Sequence, residues 1–585
     1  MPVHYLRVEA VNLGNSVYDT EDLSTIRGSG LMILKLQGPV VEAIRQSTAS
    51  GIPLVKASEC VSHGASQVVF RVELIPGAKA DDLVKAVSDF LRKDAQLKFA
   101  TLVVSISDRV YDSAREALLA NNRFRQLRQL RVSPAGLFPK IEDQLEPVFP
   151  WCTVDMVRPA TSRPPIRNPE KKAVGESVMV RRSFGHDQKQ KFYEETAQWK
   201  PDLGRGKTVE AAWDFHQIGQ FDETAREAAE REVITCNLND KIAVIYVDGN
   251  SFRKKQAGFC VDESNQKEFD KQVQSRQLDA LKRILDQAWK TGSKSDPLWW
   301  NVEKTKENGE IWRHRLETLL WGGDEVLWVV PAWFGLSTLQ AFFDVVDPPK
   351  DDDLPRAVGM LDQKRSMRIL DQSAGKPKST LAAQHYGRLT YSAGLVLCHA
   401  EAPIQGVIQL AKDLAEECKR YLKAKNAQDN LFAHAVLESF DQLGDEVHRA
   451  RRAHLPFPAG TADDDKARLE HLLISHGEMK KLLPAVCWMR EHFPRGSVYQ
   501  ILRALRTTDD HSKLDSPFAR LFVRALRDAK SEDLKDAETK GLLDVFDLRN
   551  KQGRDSDARR VNWFHLAELW DYAREEVTAL KAVPH

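Results

Sequence analysis

Residues 242–247 read Ile-Ala-Val-Ile-Tyr-Val without a polar interruption and end on Asp248. A strand that is apolar at every position, rather than at every second one, is covered on both faces, so it belongs at the centre of a sheet packed between other layers. Further along, Gly322-Gly323-Asp324-Glu325 precedes a second apolar run, Val326 to Trp333, and predicts a hairpin over 318–331. The glycines supply the positive φ that a tight turn demands and leave room for a ligand near the backbone. Neighbouring strands lie about 4.8 Å apart. A carboxylate ending one strand and another at the tip of a neighbouring hairpin can therefore converge.

Convergent carboxylates suit nucleotidyl transfer. That chemistry uses two divalent cations ~3.5–4 Å apart to neutralise phosphate oxygens and activate the attacking hydroxyl, and hard cations take oxygen ligands. Asp248, Asp324 and Glu325 are thus the candidate catalytic and metal-binding residues, for two Mg²⁺ or Mn²⁺ ions. Glu325 is either a second ligand or a residue turned to the opposite face, because strand residues alternate. Gly-Gly-Asp-Glu is also an ordinary hairpin turn, and average residue usage puts GGD followed by Asp or Glu in roughly one or two of a hundred chains of this length. The apolar strands on either side favour the metal-site reading.

With 585 residues, 42% of them hydrophobic, the chain can bury several cores, and three or four domains are expected. Strands are predicted at 4–13, within 51–74 and at 99–107, with helical spacing at 38–48 and 79–93, which makes a first αβ unit over 1–150. The Pro-rich, charged stretch from Arg158 predicts a linker or insertion over 151–236, helical in its later part. A second αβ unit over 237–440 takes in the strand ending at Asp248, helical stretches over 268–290 and up to about Leu320, the hairpin, a strand over 389–400 and a helix over 404–424. The interval 347–385 is expected to be a mobile loop. From about 440 only helical periodicity remains, which predicts an all-α domain over 441–585.

The two αβ units look like copies of one another. Asn12-Leu13-Gly14-Asn15-Ser16 aligns with Asp248-Gly249-Asn250-Ser251-Phe252, and Gly64-Ala65-Ser66-Gln67 with Gly322-Gly323-Asp324-Glu325. The acids of the second copy are Asn, Ser and Gln in the first. The expectation is one active and one degenerate unit facing each other, the degenerate one binding no metal.

These motifs resemble the large polymerase/cyclase subunit of type III CRISPR effector complexes, a relative of the GGDEF diguanylate cyclases. VDGNSF at 247–252 resembles the family's first palm strand, GGDEV at 322–326 its GGDD turn, and TYSAGLVLCHA at 390–400 with the helix to Lys419 its SAG strand and Ala-Lys helix end. VYDTEDLSTIRGSGLMI at 17–33 resembles the other palm, where a helix carries a Gly-x-Ser turn. The resemblance implies an α+β fold of two ferredoxin-like palm domains, the first degenerate and the second active, followed by the all-α domain. It implies that Asp248, Asp324 and Glu325 hold the metals and that Lys419 reaches a phosphate. Gly249, Asn250, Ser251, Phe252, Gly322, Gly323 and Ser392, with Gly28 and Ser29 of the first unit, would then line nucleotide. The implied reaction joins ATP into cyclic or linear oligoadenylate messengers in prokaryotic antiviral defence. The implied partners are RNA or effector-complex subunits and a downstream effector that reads the messenger, with a homo-oligomer as a further possibility. A GTP-using cyclase and a scaffold with little catalysis are the alternatives. The sequence departs from the family in having Glu325 for the last Asp of GGDD, the order Gly28-Ser29-Gly30, and no HD nuclease or zinc module; the His186-Asp187 dipeptide is not expected to be catalytic.

Lys plus Arg number 85 against 84 for Asp plus Glu, which gives no net field to attract nucleic acid. Local patches at Arg163–Lys172 and Arg449–Arg452 are the candidate contacts. Arg253, Lys254 and Lys255 are candidates for triphosphate, with a solvated helix start as the plain alternative. Trp299, Trp300, Trp312 and Trp321 are expected in the core. Seven scattered cysteines without CxxC pairs, and no apolar run approaching a membrane span, predict a cytoplasmic protein with no membrane partner.

Overall fold

The computed structural model describes residues 3–128, 151–156, 158, 160, 174–201, 207–231, 236–288, 297–305, 309–346, 389–437, 455–457, 470–507, 516–527, 529–549 and 553–574. The expected loop at 347–385 and the basic patches at 163–172 and 449–452 lie outside them.

The first unit runs β1 (Val3–Val11), α1 (Leu23–Leu34), α2 (Gln37–Arg45), the short β2 (Thr48–Ala49) and β3 (Ile52–Pro53), β4 (Val55–His63), β5 (Gln67–Leu74), α3 (Ala80–Lys93), β6 (Thr101–Ser107) and α4 (Tyr111–Leu127). Its sheet is ordered β4-β5-β1-β6, with every neighbour antiparallel. Alternation along β1 serves two layers. Leu6 and Val8 enter a core with Val40, Leu83 and Val87 from α2 and α3, while Tyr5 packs with Tyr111 and Leu118 of α4.

Next come α5 (Glu176–Ala197), β7 (Lys207–Glu210), α6 (His216–Gly219) and α7 (Glu223–Arg231), then β8 (Lys241–Gly249), α8 (Phe252–Phe259) and α9 (Glu263–Ala288). They are followed by β9 (Trp300–Lys304), β10 (Glu310–His314), β11 (Glu317–Gly322), β12 (Glu325–Pro331), α10 (Gly335–Val346), β13 (Tyr391–His399), α11 (Ile404–Lys425), β14 (Leu431–Val436) and β15 (Ile474–Ser475). The main sheet is ordered β11-β12-β8-β13-β14-β15. Its first four strands repeat the order of the first unit, so the duplication read from the motifs extends to the wiring.

The apolar run of β8 divides between two cores, as a strand covered on both faces must. Ile242, Val244 and Tyr246 face α11, whereas Ala243, Ile245 and Val247 face the side of α9 and α10. The second of these cores continues without a break into α12 (His476–His492), α13 (Arg495–Leu505), α14 (Pro517–Leu526) and α16 (Gly553–Leu569), with α15 (Ser531–Thr539) between the last two.

Two expectations need correcting and one is narrowed. Of linker or insertion, the described residues of 174–231 form a packed, partly helical insertion: α5 lies along α1 so closely that a Cβ on Gly28 would stand 1.7 Å from the Arg181 carbonyl oxygen. Its polar composition misled because the polar groups are satisfied inside, as by Arg181, 2.7 Å from Asp19 with both side chains buried. Residues 300–322 form strands β9, β10 and β11 instead of a helix, and β7 pairs with β10. The region after 440 is not purely helical, since Ile474 and Ser475 pair with β14 and extend the main sheet.

The units and α5 are tied by buried charges. The Arg27 guanidinium of α1 donates to both oxygens of Glu317 on β11 at 2.7 and 2.6 Å, and Lys189 of α5 reaches the same carboxylate at 3.0 Å. The Lys189 ammonium is pushed down to about 8 by burial, and the two cations hold Glu317 below the ordinary carboxylate range against its burial.

Candidate metal and nucleotide site

Strand register builds the site. Asp248 pairs with Glu325 of β12 on one side and with Ser392 of β13 on the other. Directly opposed residues point to the same face, so Glu325 shares the face of Asp248, which settles the alternative that strand alternation left open. Asp324 stands at the turn between β11 and β12, where Gly322 and Gly323 have φ of +120° and +62°. The Asp324 carbonyl accepts from the Gly249 amide at 3.1 Å, and Gln277 of α9 donates to the Gly323 carbonyl at 3.1 Å, which fixes the turn against its neighbours.

The facing element is the corresponding hairpin of the first unit. A Cβ on Gly322 would meet the Ala65 amide nitrogen at 3.1 Å, and one on Gly64 would lie 3.7 Å from Gly323 Cα. The two hairpins thus meet tip to tip, and any side chain at 322 would push them apart.

Electrostatics mark the cluster. Burial first, then the Asp248 and Glu325 carboxylates, push Asp324 up to about 7, with Lys419 opposing. Burial and Asp248 likewise raise Glu325. Lys419 of α11 forms an ion pair with Asp248. Tyr246 donates to Glu325 at 3.0 Å, and Lys412 lies over the rings of Tyr18 and Tyr246 at 5.0 and 5.5 Å. No three oxygens of these carboxylates lie mutually within 4.8 Å. Mg²⁺ or Mn²⁺ bound here would be held by Asp248, Asp324 and Glu325.

Several expected site residues have other tasks. Asn250 and Ser392 are buried: Ser392 donates to Asn250 at 2.7 Å, and Asn250 donates to Thr390 and to the Asp429 carbonyl. These bonds hold the loop after β8. Phe252 turns inward against Phe269 and Tyr391, and Gly249 makes room for its ring, 2.3 Å from where a Cβ would be. Ser251 is exposed in the left-handed region, with φ +58°. Gly28 and Ser29 lie inside α1, not in a turn; Ser29 is buried and donates to Thr25 O. Lys255 is buried over the Phe252 ring, whereas Arg253 and Lys254 are exposed. His186 stacks on Trp213. Trp299, Trp300 and Trp312 are buried in the core and Trp321 packs at its edge, as expected.

The alignment of the two copies is corrected by register. Gln67, the counterpart of Glu325, pairs with Glu9, so Glu9 and not Asn12 occupies the position of Asp248. The first copy therefore kept one acid. It is engaged by Arg7 at 3.1 Å and by Asn122 of α4 at 3.1 Å, much as Lys419 engages Asp248. Two site residues went unread, although spacing held the signal: Tyr246 is two residues before Asp248 on the same strand face, and Lys412 lies two helical turns before Lys419.

The described chain is thus a mixed α+β protein in which two units of one wiring meet hairpin to hairpin, with a carboxylate cluster on the second. No protein-family model matches the chain, and no curated protein matches it. Its structural neighbours are Csm1 and Cmr-beta. The crystal structure of Csm1 from T. onnurineus is similar at 11% identity over 97% of this chain and 70% of that one, with a TM-score of 0.44. Cmr-beta of type III-B, in its apo state, is similar at 10% identity over 91% and 78%, with a TM-score of 0.44. A Csm1–Csm4 cassette in complex with one ATP is similar at 10% identity over 98% and 70%, with the same TM-score of 0.44.

Proposed function

We propose that this chain is a palm-type nucleotidyltransferase that joins ATP into cyclic or linear oligoadenylate within a CRISPR-type antiviral complex. The observation that carries the reading is the clustering of Asp248 and Glu325, on one sheet face, with Asp324 at the adjoining turn, pushed up to about 7 by its burial and neighbours. Acids kept at such a cost, on a hairpin and strand end that could hold neutral residues, serve charge binding. In this reading both units are ferredoxin-like palms, the first degenerate, and the segments 1–150, 151–236, 237–440 and 441–585 keep separate roles.

Divalent ions bound there would neutralise phosphate oxygens and lower the pKa of the attacking hydroxyl. The chain's own residues do the rest. Ser251 and Lys254, exposed just after β8, border the path of a triphosphate. Lys419 holds Asp248 in the free protein and moves to a phosphate when ligand enters. The 3′-hydroxyl of one nucleotide attacks the α-phosphate of the next, forming the new P–O bond and releasing pyrophosphate. Adenine as the base follows the motif resemblance, as do RNA or effector-subunit partners and a downstream reader of the product.

The test is incubation of the full chain, alone and with co-encoded subunits and RNA, with each NTP and Mg²⁺ or Mn²⁺. Pyrophosphate and oligonucleotide release from ATP is expected, and Asp324→Asn should lower it by at least ~100-fold, beyond the 10–100-fold typical of an outer-shell partner. Product formed by the variant at the wild-type rate would overturn the site.

A further inference from the structure

A second group of metal-ligating side chains lies away from the acidic hairpin, where α16 packs on β14. His434 of β14 and His565 of α16 are buried, and Glu568, one helical turn after His565, is 20% exposed. His565 and Glu568 share a helix face by their spacing of three. His434 Nε2 lies 3.0 Å from Glu568 Oε2, although the two residues are 134 apart in the chain. The imidazole centroids are 5.2 Å apart. One donor atom from each of the three residues falls within 4.8 Å of the other two, which no other such group among the described residues does.

The geometry points to a binding site for one borderline divalent cation, Zn²⁺ by preference, on His434, His565 and Glu568. Two imidazoles and one carboxylate are a zinc donor set, with the fourth position left for water. Imidazole nitrogen selects Zn²⁺, Co²⁺ or Ni²⁺ over Mg²⁺ and Mn²⁺, so this site and the acidic hairpin take different ions. Ligands ~2.1 Å from one tetrahedral ion stand about 3.4 Å apart. The His434–Glu568 pair already has nearly that spacing, and rotation of the partly exposed Glu568 closes the remainder.

The surroundings agree. His565 Nε2 meets the His471 carbonyl at 3.3 Å. A ligating histidine characteristically gives its other ring N–H to a carbonyl, and this tautomer presents Nδ1 as the ligating atom. His565 also lines a cavity of about 1010 Å³ between α11, β14 and the helical region, which offers the ion and a water a way in. The ion would clamp α16 to the sheet that carries Asp248. The motif has no short-spacing signature because only the tertiary fold brings the strand histidine to the helix pair.

The experiment uses the full chain, stripped with a chelator and reloaded with Zn²⁺ or Co²⁺. Metal per chain is read by mass spectrometry, Co²⁺ coordination by visible absorption, and stability by thermal unfolding. One Zn²⁺ per chain, a higher melting temperature on loading, and tetrahedral Co²⁺ bands are expected. Glu568→Gln and His565→Gln should each weaken Zn²⁺ binding at least tenfold and abolish the bands, while Asp324→Asn leaves both unchanged. Should His565→Gln not fold, Glu568→Gln at its partly exposed position decides the matter. A folded wild-type chain that takes up no Zn²⁺, or Glu568→Gln binding it as tightly as wild type, overturns the proposal.

Discussion

Asp324 concentrates the cost of this site. Its ordinary value of 3.8 rises to about 7 in the fold, so between those two pH values the folded chain holds a proton that the unfolded chain has lost. Stability therefore falls as pH rises through that window, and above about 7 the full repulsion remains. Divalent cations should relieve it, most strongly where the carboxylate is ionised. The increase in melting temperature caused by Mn²⁺ is expected to be larger near pH 8 than near pH 6, and Asp324→Asn is expected to erase the difference while stabilising the cation-free protein at pH 8. An increase that is the same at both pH values would show that Asp324 does not couple protons to metal.

At the scale of elements, Gly394 sets how α11 meets the sheet. A Cβ there would lie 1.8 Å from the Ala411 carbonyl oxygen, backbone against backbone, so no rotamer change can absorb it. The absent side chain lets α11 lie on β13 and brings Lys412 over the Tyr246 ring and Lys419 to Asp248. Gly394→Ala should displace the helix, cost about 1–3 kcal/mol as overpacking does, and weaken nucleotide affinity more than Val407→Ala, a cavity substitution nearer the start of the same helix. Urea unfolding and nucleotide titration of the two variants check this, and equal affinities would remove the positioning role from Gly394.

At the scale of the molecule, Arg27, Lys189 and Glu317 join the first unit, α5 and the main sheet in one buried triad. Removing one member leaves the others charged and unbalanced, and breaking such groups costs about 3–5 kcal/mol. Glu317→Gln should lower unfolding stability by that order and loosen the contact between hairpins 64–67 and 322–325, read as faster amide exchange at both. A loss below about 0.5 kcal/mol, the range of ordinary surface changes, would mean the units are held by other contacts. The shared core points the same way: α12 to α16 continue the packing of Trp328 and Phe342, so the helical region supports the main sheet as well as following it.

What the sequence determined by itself was whatever depends on local pattern. The two-faced burial of β8 follows from six apolar residues in a row, the hairpin from Gly322-Gly323, and the duplication from two matching corner-and-turn motifs. Asp248, Asp324 and Glu325 were legible because they end or begin those patterns. Tertiary structure decided what depends on register and on distant partners. Only the pairing of β1 with β5 shows that Glu9, not Asn12, answers to Asp248, because a slip of a few residues leaves the local motif unchanged. That Ser392 and Asn250 bond each other in the interior is likewise a matter of which strand lies beside which. The polar segment at 174–231 has no apolar periodicity strong enough to announce a buried helix, since its stability comes from charges paired with residues far away in the chain. His434 and His565 are unremarkable in sequence for the same reason: the chemistry of a side chain is local, but what it can hold is set by whatever the fold places within a few ångströms of it.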